Sequence, residues 1–313
     1  MNARLMALGN IFSGSDIRWQ LDGALNISLM KGRFIGVHKD VDISLDPQDL
    51  EKLETQLRGH GYGLFRTEAH PDDTTKKLIR RLTPQEARER PEALFQIAAV
   101  DEHGKLRSEP NLNFMDVHLI RRDTNGNPLG YGNVALPDKW YKPQPMDFHG
   151  QTINLSHPAK VAYFKLHSTR PFDRTDLRTL TLSGKLSQQD AADIRRIIEE
   201  EIAVQRSKAE AIVAEATKVI TPKMAAAGIF QAFADQPVLQ SRLEDEPTKK
   251  LLHDLAEEIA RGNRSLTSIR TAAFETFGLE HSLEKTQKKV DELLGWIEGA
   301  AKKEASISSQ SFP

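Results

Sequence analysis

The run from 38 to 45 reads His38-Lys39-Asp40-Val41-Asp42-Ile43-Ser44-Leu45, and on an extended chain its side chains alternate between two faces. Val41, Ile43 and Leu45 share the apolar face; Asp40, Asp42 and Ser44 share the other. Two carboxylates two residues apart repel each other unless a cation sits between them. A hard divalent ion such as Mg²⁺, which takes oxygen ligands and keeps waters that phosphates can replace, suits that pair. A solvated strand face is the competing reading, because short motifs arise often by chance. A third carboxylate shifts the balance. Asp116 lies in a second apolar run, 113 to 120, and shares a face there with His118. Aspartate is disfavoured in strands, so its presence in two apolar runs needs a local reason. Three carboxylates from neighbouring strands suit two metal ions, which clamp the attacking and leaving oxygens in phosphoryl or nucleotidyl transfer.

The elements that must position these groups divide the chain into two halves, expected as domains of residues 1–183 and 184–313. The first half mixes short strands and helices and is expected to be α+β. Runs 94–100 and 114–120 and the segment after Asn125-Gly126 carry strand patterns, with that pair as a hairpin turn. Asp46-Pro47 opens a helix whose Leu50, Leu53 and Leu57 recur at helical spacing up to Gly59. From Ser187 the pattern becomes that of long helices, first with Ile194, Ile197, Ile198 and Ile202 on one face. Thr221-Pro222 and Glu246-Pro247 mark helix starts and Gly262 a stop. Ser282 leads into a last helix with Val290, Leu293, Leu294 and Ile297, and the tail 305–313 is expected to fray.

Composition narrows the classes. The 313 residues carry 43 Lys plus Arg against 44 Asp plus Glu, a net charge of −1, which excludes a uniformly basic phosphate-gripping surface. With no cysteine, disulfides, thiolate metal sites and a cysteine nucleophile are excluded. No apolar run is long enough for a bilayer and the first residues do not form a signal peptide, so no membrane and a cytoplasmic location are expected. The ten histidines include no His-x-x-x-His pair, and neither Gly-x-Gly-x-x-Gly nor a P-loop occurs. Trp140 and Tyr141 can stack on a base or anchor a loop, and the anchor is the commoner use.

The runs Trp19-Gln20-Leu21-Asp22-Gly23-Ala24-Leu25-Asn26, Gly32-Arg33 and His38-Lys39-Asp40-Val41-Asp42 resemble the opening of the nucleotidyltransferase fold of the polymerase-beta superfamily. The similarity is to the branch of aminoglycoside and lincosamide nucleotidyltransferases and abortive-infection type nucleotidyltransferase toxins, and it covers about residues 17 to 180. It implies a mixed-sheet catalytic domain followed by an α-helical domain. It further implies that Asp40 and Asp42 bind metal and that Asp116 binds metal or acts as general base. Gly23 matches the glycine at which nucleotide phosphate approaches, a role that the lack of a Cβ permits. Asp22 stands where drug-modifying members commonly have a second glycine, and Ala24 where others have serine. The run from Lys165 through Arg170 and Asp173 to Leu177 resembles a late family segment, which implies Lys165 on the phosphates and Asp173 in positioning the site. Asp173 can instead cap a helix turn, and Arg170 can pair with it. Arg33 and His38 complete the expected nucleotide-binding set.

The resulting expectation is a metal-dependent nucleotidyltransferase, using an NTP and two Mg²⁺ and releasing pyrophosphate. Its acceptor hydroxyl belongs to a tRNA end or a protein, as in a toxin, or to a small molecule such as an antibiotic. A non-catalytic nucleotide-binding module that retains the fold is the alternative. The helical half is expected to bind acceptor, a second copy or a partner such as an antitoxin.

Overall fold

Apolar alternation marks β-type runs such as 41–45 and 115–119, and leucine spacing marks the helix from Leu50, in a computed structural model. It describes residues 2–34, 38, 40–70, 73–90, 95–107, 115–168, 170–216, 288, 290–297 and 299. In chain order the elements begin with α1 (Asn2–Phe12), β1 (Trp19–Leu21), α2 (Gly23–Met30) and β2 (Asp42–Leu45). A 3-10 turn (Pro47–Asp49), α3 (Leu50–Gly59), β3 (Tyr62–His70), β4 (Asp73–Arg81), α4 (Pro84–Arg88), β5 (Phe95–Ala99) and β6 (Met115–Leu119) follow. After 3-10 turns at Tyr131–Asn133 and Asp138–Tyr141 come β7 (Gln144–Phe148), β8 (Gln151–Leu155), α5 (Pro158–His167), α6 (Pro171–Leu182) and α7 (Gln188–Ala216).

The strands form one eight-stranded mixed sheet in the order β4-β3-β5-β6-β2-β1-β8-β7. β2 runs parallel to β6 and β1 parallel to β8, while the other neighbours are antiparallel. Val41, Ile43 and Leu45 around β2 and Met115, Val117 and Leu119 of β6 are buried in the main core. There they join Leu5, Leu8 and Ile11 of α1 and Leu50, Leu53 and Leu57 of α3. Because side chains alternate along a strand, this burial leaves Asp42 and Ser44 of β2 and Asp116 and His118 of β6 on the opposite face.

Three local expectations meet a different outcome. β2 starts at Asp42, so Asp40 precedes the strand and is exposed. The helix at Asp46-Pro47 opens as a 3-10 turn, with Asp46 accepting from Gln48 N at 3.2 Å, and becomes α-helical at Leu50. Asn125-Gly126 does form a turn, but its flanks make only isolated bridges. Asp123 takes the N–H groups of Asn125 and Asn127 at 2.9 and 2.8 Å, and Pro128 has no N–H to donate, so a ladder cannot extend. Trp140 is fully buried in its 3-10 turn beside the Tyr163 ring, with centroids 5.9 Å apart, as a loop anchor.

The described residues fall into two units, one holding the sheet and α1 to α6, the other holding Tyr131–Val134 and the helices from Gln188. In the second unit Ile194, Ile197 and Ile198 of α7 are buried, as are Val290, Leu293 and Ile297 of the last described helical residues. Arg195 reaches Asp291 there at 2.6 Å. The expected starts at Thr221-Pro222, Glu246-Pro247 and Ser282, the stop at Gly262 and the tail 305–313 lie outside the described residues. No helix among the described residues is long and apolar enough to cross a membrane.

The carboxyl end of β2 is pinned electrostatically. Asp46, fully buried, accepts from Arg122 Nε at 2.9 Å and pairs with Arg122 Nη2 at 2.8 Å, which ties β2 to the chain leaving β6. Asp46→Ala is expected to lower stability by about 1–3 kcal/mol, the penalty for leaving buried partners unsatisfied, as read from the urea midpoint.

Candidate active site

Parallel pairing of β2 with β6 sets Asp42 directly beside Asp116 and Ser44 beside His118. Antiparallel pairing of β5 with β6 brings Gln96 beside Asp116, and its Nε2 donates to Asp116 Oδ1 at 3.2 Å. On the other flank β1 pairs Gln20 with Ser44, and Asp22 N donates to the carbonyl of Asp42 at 2.8 Å. Two rows therefore cross the sheet. One runs Asp22, Asp42, Asp116, Gln96 and the other Gln20, Ser44, His118.

Electrostatics follows from the rows. Burial raises the Asp116 carboxyl above its usual value; the Gln96 bond opposes this, and the nearby charges of Asp42 and Asp40 add to it. His118 sits with Nε2 3.9 Å from Asp42 Oδ1. Burial would lower its pKa, but the Asp42 contact and the charges of Asp22, Asp42 and Asp116 prevail and raise it. Among the described residues, no three histidine, aspartate or glutamate side chains form a group that could hold a metal.

Gly23 starts α2 where β1 ends, with φ +70°, a left-handed conformation that L side chains rarely adopt. A Cβ there would lie 2.5 Å from Asp42 Oδ2, so the carboxylate occupies the space that the missing side chain leaves. Asp22 holds the N-cap position of α2 but makes no side-chain cap bond. Its carboxylate turns to Lys160 of α5, whose Nζ lies 2.9 Å from Oδ1 and 3.1 Å from Oδ2, and it also accepts from Ser156 Oγ. Lys160 is 1% exposed and further donates to Ser44 Oγ at 2.5 Å and to Gln20 Oε1 at 3.1 Å. Burial pushes its amine below the usual lysine value, against the pull of Asp22. Asn26 locks α2 to the same junction: its Nδ2 donates to Ser156 O and its Oδ1 accepts from Ser156 N, both at 3.2 Å.

The remaining expected residues are distributed around α2 and on α5 and α6. Ala24 lies half-buried in the first turn of α2, and Arg33 is exposed just beyond its end. His38 Nε2 lies 2.9 Å from Ser28 Oγ. Lys165 and Asp173 meet each other at 2.7 Å; Lys165 also holds Asp176 at 2.6 Å, and Arg170 Nε holds Asp173 at 3.0 Å. Both Lys165 and Asp173 are buried.

Sequence reasoning did not single out Lys160, Ser156 or Gln96. A signal for Lys160 was present: it interrupts the apolar stretch Ala159, Val161, Ala162 behind the His157-Pro158 helix start, and lysine is almost never fully buried without a partner. Ser156 and Gln96 carry no such mark, because their roles come from strand neighbours distant in sequence.

Residues 4–80 match the family model of aminoglycoside-2''-adenylyltransferase. The matched segment carries Gly23, Asp40 and Asp42 and ends before Asp116, and the matched family belongs to the branch that the motifs resemble. Among solved structures, the chain is similar to the lincosamide antibiotic adenylyltransferase LnuA with lincomycin bound. The identity is 18% and the TM-score 0.37, over 57% of this chain and 96% of that one. No curated protein matches.

Two outcomes are expected of the isolated protein. Gly23→Ala forces the left-handed backbone on a side chain and displaces the Asp42 carboxylate, costing about 1–2 kcal/mol in a denaturant titration. For Asp116, a raised folded pKa means that the protonated form favours the folded state. That contribution is complete below the ordinary value of 3.8 and is lost as pH rises through the folded pKa. In chelator-containing buffer Asp116→Asn should therefore gain stability over the parent as pH climbs above about 4, with no gain near pH 3. A thermal melting series across pH reads the difference.

Proposed function

We propose that the chain transfers a nucleoside monophosphate, AMP by the family match, from its triphosphate to a hydroxyl of a small antibiotic-type acceptor. The observation that carries this reading is the placement of Asp42 beside Asp116, with the Gly23 turn and the uncapped start of α2 against the same carboxylate. Adjacent carboxylates repel each other unless a cation sits between them, and oxygen donors suit a hard ion that brings waters and phosphate oxygens. Asp42 and the exposed Asp40 are the residues assigned to hold Mg²⁺, two ions by this reading, and Asp116 either ligates the second ion or acts as the general base. When bound, Mg²⁺ neutralises charge on the triphosphate and on the transferred phosphoryl group.

The residues divide the remaining work. N–H groups at the start of α2 face no side-chain cap and offer an anion site, and Gly23 lets phosphate approach the backbone there. The acceptor hydroxyl oxygen attacks the α-phosphorus, the bond to the pyrophosphate oxygen breaks, and the hydroxyl proton passes to the Asp116 carboxylate where that group acts as general base. Arg33 and His38, near the end of α2, are assigned to the donor nucleotide. Lys165 and Asp173 are assigned to seating α5 on α6, since each already holds the other. Residues 1–183 form the catalytic domain in this reading, and residues 184–313 serve acceptor or partner binding.

A small acceptor is favoured over RNA because the family matched by residues 4–80 is one of aminoglycoside adenylyltransferases, and because a group of carboxylates favours a cationic molecule. The test incubates the protein with ATP, Mg²⁺ and aminoglycosides or lincosamides and follows pyrophosphate release together with the mass of the acceptor. A mass increase of one AMP is expected. Asp116→Asn should cut kcat roughly 10²–10⁴-fold, the range for loss of a general base, and Asp42→Asn should abolish transfer. Undiminished transfer in the Asp42→Asn variant would sink the assignment, and label on RNA alone would move the acceptor to the nucleic-acid class.

A further inference from the structure

Asp22 poses a problem for any triphosphate bound at α2. Aspartate is among the best N-cap residues, and a capping carboxylate would occupy the N–H groups that a phosphate needs. It would also add a negative charge beside Asp42. In this structure it does not cap: Lys160 and Ser156 draw the carboxylate aside, Lys160 pairs its charge, and α2 starts without a side-chain cap. The anchor is built from four directions. Lys160 reaches from α5, Gln20 comes from β1 and Ser44 from β2, and Ser156 lies between β8 and α5, itself gripped by Asn26 of α2. By side chain, Lys160 is 2% exposed and Asp22 19%, so the amine is buried while the carboxylate keeps some contact with solvent.

We infer that Lys160 is a positioning residue for the nucleotide: it neutralises Asp22 and holds that carboxylate off the first turn of α2, so that the turn stays open to the triphosphate. This rests on the nucleotidyl-transfer reading above. The pair Asp22 and Lys160 then does together what a plain glycine does at position 22 without a partner. Lysine and aspartate are required jointly, and neither is required once both are gone. A lysine that touched the phosphates directly would behave differently, since deleting Asp22 could not replace it.

The test compares Lys160→Met, Asp22→Gly and the double variant with the parent. It uses Mg²⁺-ATP binding by calorimetry, the KM and kcat for ATP, and thermal unfolding to verify folding. In Lys160→Met the unpaired carboxylate is free to swing onto α2, so the Kd and KM for ATP should rise about tenfold or more while kcat changes far less. The double variant should recover to within about threefold of the parent. Parent-like binding by Lys160→Met overturns the proposal, as does a folded double variant that binds as weakly as Lys160→Met. If Lys160→Met does not fold, Asp22→Gly and the double variant decide: equal ATP affinity supports the proposal, and a tenfold weaker double variant overturns it. If the parent binds and transfers no nucleotide, the functional reading itself falls and takes this inference with it. Parent activity with no effect of Lys160→Met removes the inference alone.

Discussion

Like charges placed side by side are the constraint around which the sheet unit is arranged. Parallel pairing of β2 and β6 puts Asp42 against Asp116, and Asp22 extends the row by a backbone hydrogen bond to Asp42. Such a row is unfavourable unless each carboxylate is separately accounted for. The structure deals with each differently: Lys160 and Ser156 hold Asp22, His118 stands near Asp42, and Gln96 donates to Asp116. Only Asp22 receives a full, buried counter-charge. Asp40 precedes β2 and is exposed, so it stands outside the row.

The scaffold holds this arrangement from the apolar side. Each strand that presents a row residue sends its alternate side chains into the core shared with α1 and α3, so a one-residue slip of β2 against β6 would bury Asp42 and expose Ile43. Register is thereby enforced by burial, and Asp46 with Arg122 reinforces it at the strand end. The polar side is held by fewer, directional contacts: Asn26 on Ser156 fixes α2, and Lys160 fixes α5. Gly23 couples the two, because its lack of a Cβ lets α2 begin within contact of Asp42.

Of the fold, the parts legible in sequence were those written in local periodicity. Leu50, Leu53 and Leu57 mark α3, the alternation around Val117 marks β6, and the isoleucines of α7 mark its buried face. β1, three residues long, and the β7 and β8 pair were not legible. A strand of three residues, or one reading Gln144-Pro145-Met146-Asp147-Phe148, has no alternation to detect and exists because neighbours supply its hydrogen bonds. The Asn125-Gly126 turn shows the converse: local turn chemistry was correct, yet Pro128 and the Asp123 carboxylate kept strands from growing beside it.

The amino-acid sequence by itself determined the chemical types: Asp40 and Asp42 two residues apart, Asp116 in a second apolar run, and a glycine at 23. These are properties of spacing on an extended chain, and spacing is local. Which carboxylates stand side by side, and which lysine answers them, was decided by tertiary structure alone. Lys160 and Lys165 lie five residues apart on one helix, both buried, and nothing in their local pattern says which faces Asp22 and which faces Asp173 and Asp176. Helix rotation against the sheet settles that, and it depends on contacts made across more than a hundred residues of chain.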